Sequence, residues 1–318
     1  MEELAPRPLP LGAWLDIVAR EYLDRFVPEG GGGLKIVLAE DAGIAETIVG
    51  LEALAREREL HVVRIDAAHT RLHMPQDLFF ALARALPWSG MAQEFLERLF
   101  AANFYPWPQP GQRLTRAELA EAFAVAPPVL GREIDRWLSQ AIWNNRDLAR
   151  DFRGALLGLC LARLDSDEAD AQPVLGWLQG EKIPAATLRR AGIGGRITRA
   201  TARAMLVSLC HWVRMSGAAG LLLSLDARRL QRAGPAQDGC VRYSPAAVMD
   251  TYEVLRELID DAEHLPGLFV VVLANESLVG GDPRRALSQY PALQMRVWPD
   301  VRPGEGQNPV APMVRLGA

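Results

Sequence analysis

Apolar and polar positions along this chain switch between two periods, and the switches mark its elements. Residues Leu11–Val27 carry apolar side chains at helical spacing, which predicts an amphipathic helix leading into the domain. The run Gly30–Gly33 then reads as a flexible joint. "LKIVLA" (Leu34–Ala39) is a short unbroken apolar run, the pattern of a strand buried on both faces of a parallel sheet. A helical stretch, "AETIVGLEALARERE", and a second strand, "HVVRID" (His61–Asp66), complete one βαβ unit. From about Ala68 to Met215 the period is mostly helical, with proline-containing breaks at Phe104–Gln112 and Val125–Gly131. Strands return with "AGLLLSLDA" (Ala219–Ala227) and "LFVVVLANE" (Leu268–Glu276), separated by a helix over "AAVMDTYEVLRELIDDA". Two strands at each end with helices between them predict an α/β fold with a large helical insertion between the second and third strands. The expected organisation is an N-terminal helix and glycine joint over residues 1–33. An α/β domain then spans 34–318, with its insertion over about 69–215.

Composition narrows the class. With 49% hydrophobic and 23% charged residues, the chain can bury a large core and is unlike a disordered segment. A net charge of −4 gives no global attraction to nucleic acid, so any such contact needs a local basic patch. Cys160, Cys210 and Cys240 lie far apart in no metal-type spacing, which fits buried thiols in a reducing cytoplasm. "MEELAPRPLPLGAW" has no basic flank followed by an apolar run, and no apolar stretch reaches membrane-spanning length, so a cytoplasmic location without a membrane is expected. His69 and His73 have the i, i+4 spacing of two metal ligands, but no third ligand stands near and packing or surface roles are expected, with no metal site. "NFYPWPQPGQ" reads either as a recognition loop or as the packing of a helix–helix connection.

The segment "EDAGIAET" sits where a strand–turn–helix would place a phosphate-binding loop of the form GxxxxGK[ST]. In such a loop, glycines let backbone N–H groups wrap the phosphates, a lysine reaches them, and a hydroxyl binds magnesium. Aligning Thr47 with the hydroxyl puts Glu40 at the first glycine, Ala45 at the second and Glu46 at the lysine, with Gly43 as an additional glycine. A carboxylate at about 4 Å from a phosphate charge costs about 4 kcal/mol at an effective dielectric of about 20. The only lysines, Lys35 and Lys182, fall in a strand and in the insertion, outside the turn. In the third strand, Asp226 ends the apolar run at the magnesium-binding position, but Ala227 follows it, and alanine cannot act as a general base. Phosphoryl transfer depends on positioning and charge neutralisation, so both halves of the hydrolytic apparatus are expected to be defective and no catalytic residue is assigned.

Several segments carry a resemblance. "VLGWLQGEKIP" (Val174–Pro184), Arg190–Asp226, "LFVVVLANESLVGGDPRRALSQYPALQMRVWPDVR" and "NPVAPMVRL", with the strand–loop–helix of Leu34–Leu54, resemble the ATP-binding protein family of BREX-type bacterial phage-defence systems. That family is a P-loop group related to AAA+ and STAND ATPases. The resemblance implies a P-loop NTPase-like parallel sheet, ATP hydrolysis and conformational cycling on DNA. It also implies partners in a defence complex: an active ATPase relative, a helicase or a nuclease. In the family the loop reads like GEYGSGKT and the acidic strand ends in Asp-Glu, whereas this chain has "EDAGIAET" and "LDAR". The resemblance further places Asn275 at a sensor position facing the γ-phosphate, and Arg284, Arg285 and Arg296 where an arginine could reach a nucleotide. The alternatives are a strand-end cap for Asn275 and solvated helix charges for the arginines.

"TLRRAGIGGRITRATARAML" holds Arg189, Arg190, Arg196, Arg199 and Arg203 with no acid between them. It reads as a DNA-phosphate contact, an interface with an acidic partner, or a solvated face. The expectation for the whole chain is a catalytically inactive ATPase-like subunit acting as scaffold or regulator, with no cofactor. The alternatives are an ATP/magnesium-binding switch through Thr47, Asp226 and Asn275, and a DNA-binding adaptor.

Overall fold

A computed structural model describes residues 7–165, 168–232, 239–298 and 307–317. Residues 1–6 of the N-terminal reading and the "PDVR" end of one family-like segment lie outside the described residues. The chain divides into two compact units, Met1–Leu78 with Ala219–Ala318, and Phe79–Ala218. The first begins with β1 (Leu9–Pro10), α1 (Leu11–Ile17), a π-helical run (Val18–Phe26), β2 (Gly33–Leu38), α2 (Asp41–Arg56) and β3 (His61–Asp66). The unit boundary falls within α3 (Pro75–Ala85). The second unit continues with α4 (Trp88–Ala102), α5 (Arg116–Ala122), α6 (Pro127–Leu138), α7 (Arg150–Leu164), α8 (Glu168–Leu178), α9 (Ala185–Arg190) and α10 (Arg199–Ser216). The chain then re-enters the first unit for β4 (Leu221–Asp226), α11 (Pro245–Asp260), β5 (Leu268–Ala274), α12 (Ser277–Gly280), α13 (Pro291–Val297) and β6 (Met313–Gly317).

The sheet is six-stranded and all parallel, in the order β1-β6-β2-β5-β4-β3, an α/β architecture of the P-loop NTPase-like kind. Every residue of β4 and β5 is buried, as unbroken apolar strands covered on both faces must be. On one face Val37, Val271, Leu273, Phe269 and Leu222 pack against Trp14, Val18, Leu23 and Val27 and against Ile44, Ile48 and Leu51 of α2. Alternate strand positions such as Ile36 and Leu38 point to the other face, where α11 lies along β2. The sequence pattern predicts four strands; β1 and β6 are additional. β1 has only two residues, and β6 carries Arg315 within a short apolar stretch, so neither gives a run long enough to read as a strand.

Two expectations for the N-terminal segment need correction. The segment is no separate joint-and-helix region: Trp14 and Val27 are fully buried in the sheet unit's core. The helix also changes winding, from α to π at Val18, with Val27 N–H donating to the Tyr22 carbonyl at 2.9 Å. The glycines after it serve close packing rather than flexibility. Gly30 takes φ +99°, and a Cβ on Gly32 would stand 2.4 Å from the Ala262 carbonyl oxygen.

Among its described residues the second unit has helices and no strand, with α7 packed on α4 and α8, and α10 packed on α4. Its aromatic side chains interlock: Phe100 meets Trp107 and Trp137 edge-on, and Phe95 lies 4.9 Å from Trp212. Within the proline-rich connection, Trp107 is buried and Tyr105 packs on Phe123, so the helix–helix packing reading holds for both residues. Phe104 differs. It is 93% exposed and sits at φ +67°, in the left-handed position that closes α4, with Tyr105 N–H bonded to the Phe100 carbonyl at 3.0 Å.

Candidate functional site at the carboxyl edge of the sheet

In open parallel sheets, ligands bind beyond the carboxyl ends of the strands, where the strand order reverses. Here that position belongs to β2. The chain leaves β2 for the far edge at β3, steps back through β4 and β5, and places β6 on the other side of β2. The registers Leu38↔Ala274, Leu273↔Asp226 and Asp226↔Asp66 align the strand ends. Ala39, Glu40 and Asp41 therefore emerge at the same edge as Asn275, Asp226 and Arg228.

The turn after β2 is short. Ala39 N–H still donates to the Ala274 carbonyl at 3.0 Å, Glu40 is the N-cap residue, and α2 begins at Asp41. Ile44 N–H bonds to the Glu40 carbonyl at 2.9 Å, so the backbone donors from Ile44 onward are taken up by the helix. The sequence pattern starts the helix at Ala45; the structure starts it four residues earlier, at Asp41, so Gly43 lies inside α2 together with Ala45 and Glu46. Ala45 and Glu46 are exposed on it, and Gly43 is absent from the left-handed glycines. Thr47 is fully buried, and its Oγ1 donates to the Gly43 carbonyl at 2.6 Å, a contact inside its own helix. The first turn of α2, whose free N–H groups favour anions, carries Asp41 of its own, and the preceding cap residue is Glu40.

Asp226 is 3% exposed, and its two carboxylate oxygens accept from one guanidinium: Arg228 Nε at 3.0 Å and Nη2 at 2.6 Å. The same guanidinium reaches across to the start of α2, where Nη1 donates to Asp41 Oδ1 at 2.8 Å. Asn275 completes the chain, its Nδ2 donating to Asp41 Oδ1 at 3.1 Å and to the Ala39 carbonyl at 3.2 Å. The hydrogen bond from Arg228, and then the one from Asn275, holds the Asp41 carboxyl below the usual carboxylate range. The bond to Asp226 raises the Arg228 guanidinium further above its ordinary value. Ala227 is 1% exposed and ties its N–H to the Leu273 carbonyl. Asp66, at the end of β3, accepts from Ala68 N–H at 2.7 Å. Among the described residues, no group of three or more His, Cys, Asp and Glu side chains is arranged to hold a metal ion.

The remaining arginines divide. Arg285 is 6% exposed, donates to the Leu230 carbonyl at 3.0 Å, and offers its own carbonyl to Tyr252 Oη. It braces the segment after β4 and does not reach out toward a ligand. Arg296 forks onto Asp260 of α11, and Arg284, exposed, pairs with Asp282. Arg189, Arg190, Arg196, Arg199 and Arg203 are all exposed and all belong to the helical unit. Sequence reasoning missed Arg228 and Asp41. The signal for Arg228 was a cation two residues after a strand-end acid, as in "LDARR"; Asp41 required knowing that the helix starts early.

A family model for the BREX system ATP-binding protein BrxC/D matches residues 116–318. That span contains β4, Asp226, Arg228, β5 and Asn275, and begins downstream of the Glu40–Thr47 segment. No curated protein and no solved structure matches the chain. With more than half of its length matched, and with the parallel sheet and aligned strand ends described above, the chain belongs to the BREX system ATP-binding protein family.

Proposed function

We propose that this protein is a non-hydrolysing member of its family, a scaffold or regulatory subunit of a bacterial phage-defence complex beside an active ATPase, helicase or nuclease. One observation carries the reading: α2 starts at Asp41, so no loop of free N–H groups stands between β2 and the helix to wrap a triphosphate. The acid on β4 supports it. A magnesium ion at Asp226 would have to displace a guanidinium that holds both carboxylate oxygens. A phosphate would also meet Glu40, Asp41 and Glu46 without a lysine. The residues present therefore do not fit magnesium-ATP as they stand. The strand ends and α2 form a folded edge, and that edge is the surface the scaffold reading assigns to assembly.

The second reading, a nucleotide switch using Thr47, Asp226 and Asn275, draws on the family's ATP-binding name. It requires the first turn of α2 to unwind and Arg228 to leave Asp226. Calorimetry with ATP and magnesium decides between the readings. The expected result is no saturable heat up to millimolar nucleotide. Micromolar binding abolished by Asp226→Ala would establish the switch and overturn the scaffold reading.

A further inference from the structure

We infer that the helical unit carries a binding surface for the phosphate backbone of duplex DNA, built from Arg189, Arg190, Arg196 and Arg199 and continued by Arg203. The surface is independent of the carboxyl-edge site.

The arginines of this chain meet different fates. Many are drawn into ion pairs: Arg228 with Asp226, Arg256 with Glu253, Arg296 with Asp260 and Arg315 with Glu276. Arg189, Arg190, Arg196 and Arg199 are exposed, and no carboxylate among the described residues pairs with any of them. The stretch that carries them has neither an acidic nor an aromatic residue from Arg189 to Arg203. On a chain of net charge −4 it is a local reversal of sign.

The backbone beneath these side chains is fixed. Arg189 and Arg190 end α9, and Ile193 N–H folds back onto the Leu188 carbonyl at 2.9 Å. Ile193 and Ile197 are buried on either side of exposed Arg196. Between them, Gly194 N–H donates to Asp151 of α7 at 3.0 Å, and the Gly195 carbonyl accepts from Trp177 Nε1 of α8 at 2.8 Å. Thr198 N–H donates to Thr201 Oγ1 at 2.9 Å at the start of α10, so Arg199 in the first turn and Arg203 in the second stand on a defined helix end, four residues apart on one face. Arginine in the first turn opposes the helix dipole, and no acid there offsets it. An external anion would relieve that repulsion.

Chemistry selects the ligand. Single-stranded nucleic acid is held by stacking on aromatic side chains, and the stretch from Arg189 to Arg203 contains none. Exposed guanidinium groups on a rigid frame suit phosphates spaced along a duplex, bound without base readout.

The test is fluorescence anisotropy of the full chain with a random-sequence 20-bp duplex at about 50–200 mM salt. Binding is expected, with log K falling against log salt at a slope of about −4, since each neutralised phosphate contributes about −0.9. Arg196→Ala with Arg199→Ala should reduce the slope by about 2, and a matched pair elsewhere, Arg25→Ala with Arg56→Ala, should leave it unchanged. Arg196→Lys with Arg199→Lys should restore it, because a phosphate accepts a point charge whereas a bidentate carboxylate contact does not. Circular dichroism melting confirms that each variant is folded. No binding at 50 mM salt, or binding indifferent to the Arg196/Arg199 pair, overturns the inference. So does tighter binding of a single strand of the same length. Displacement of the duplex by poly-glutamate at equal charge concentration would also overturn it, assigning the surface to an acidic protein.

Discussion

Phe104 closes α4 in a left-handed conformation that glycine adopts without strain. Glu59 and Ala124 do the same after α2 and α5, with Leu60 N–H on the Ala55 carbonyl and Val125 N–H on the Ala120 carbonyl. Phe104 is 93% exposed, so its ring contributes little burial to offset the backbone cost. Phe104→Gly is therefore expected to raise stability by about 0.5–1 kcal/mol, read as a higher urea midpoint; a lower midpoint would show that the ring packs. Lys35 poses the opposite problem. It is 3% exposed in β2, with Nζ donating to the carbonyls of Val310 and Ala311 and lying 4.7 Å from the Tyr22 ring centroid. Burial pulls its ammonium down to about 8 from 10.5. Between those two values the unfolded chain holds a proton that the folded chain has released, so this residue's contribution to stability rises with pH there. Cys160, Cys210, Tyr243 and Tyr252 are all raised by burial and act in the reverse direction at alkaline pH. The lysine must therefore be isolated by subtraction. The stability of Lys35→Met relative to the parent should fall by about 2 kcal/mol between pH 7 and pH 10. A pH-independent difference would show that Lys35 titrates normally.

At the scale of elements, Arg228 joins the end of β4 to the start of α2. Its removal strands Asp226 beneath the surface without a counter-charge, while Asp41 is left in water. Because Arg228 itself is 30% exposed, the cost of Arg228→Ala is set at about 2 kcal/mol, below the range for a fully buried pair. Adding Asp226→Ala should cost less than the separate effects together, with a coupling of about 1 kcal/mol in urea unfolding. Additive effects would mean that the pair is not formed. On the proposed non-hydrolysing reading, Arg228→Ala should show no ATP hydrolysis, because freeing Asp226 does not open the first turn of α2; phosphate release by the variant would contradict this. These elements also show how far the sequence could be read. β2, β4 and β5 were legible because burial on both faces dictates their largely apolar composition, whereas β3, an edge strand with exposed Arg64, was legible from its β-branched residues. The departures at Glu46 and Ala227 were legible as chemistry. What escaped was geometry. A GxxxxGK[ST] template assumes a turn over Glu40–Ala45, but "EDAGIAET" contains no residue that stops a helix from starting at Asp41. Arg228 was hidden for a related reason, since its partners Asp226 and Asp41 meet only when β4 and β2 share a sheet edge.

Across the whole molecule, the entire helical unit lies within one connection. The chain leaves β3, traverses Phe79–Ala218, and returns as β4, paired with β3 through His61↔Leu221 to Asp66↔Asp226. Neighbouring strands thus bracket the whole unit from Phe79 to Ala218 while their pairing stays in one register. The other edge has a different property. β1 pairs with β6 through Leu9↔Leu316 and Pro10↔Gly317, so residues from the two extremes of the described chain run side by side, about 4.8 Å apart. A peptide tether of a few residues could splice them into a closed ring. Cutting that ring at the exposed Gln109–Gln112 turn would give a protein whose new ends both open from the helical unit, with the strands in the sequence order β4, β5, β6, β1, β2, β3 and the splice between β6 and β1.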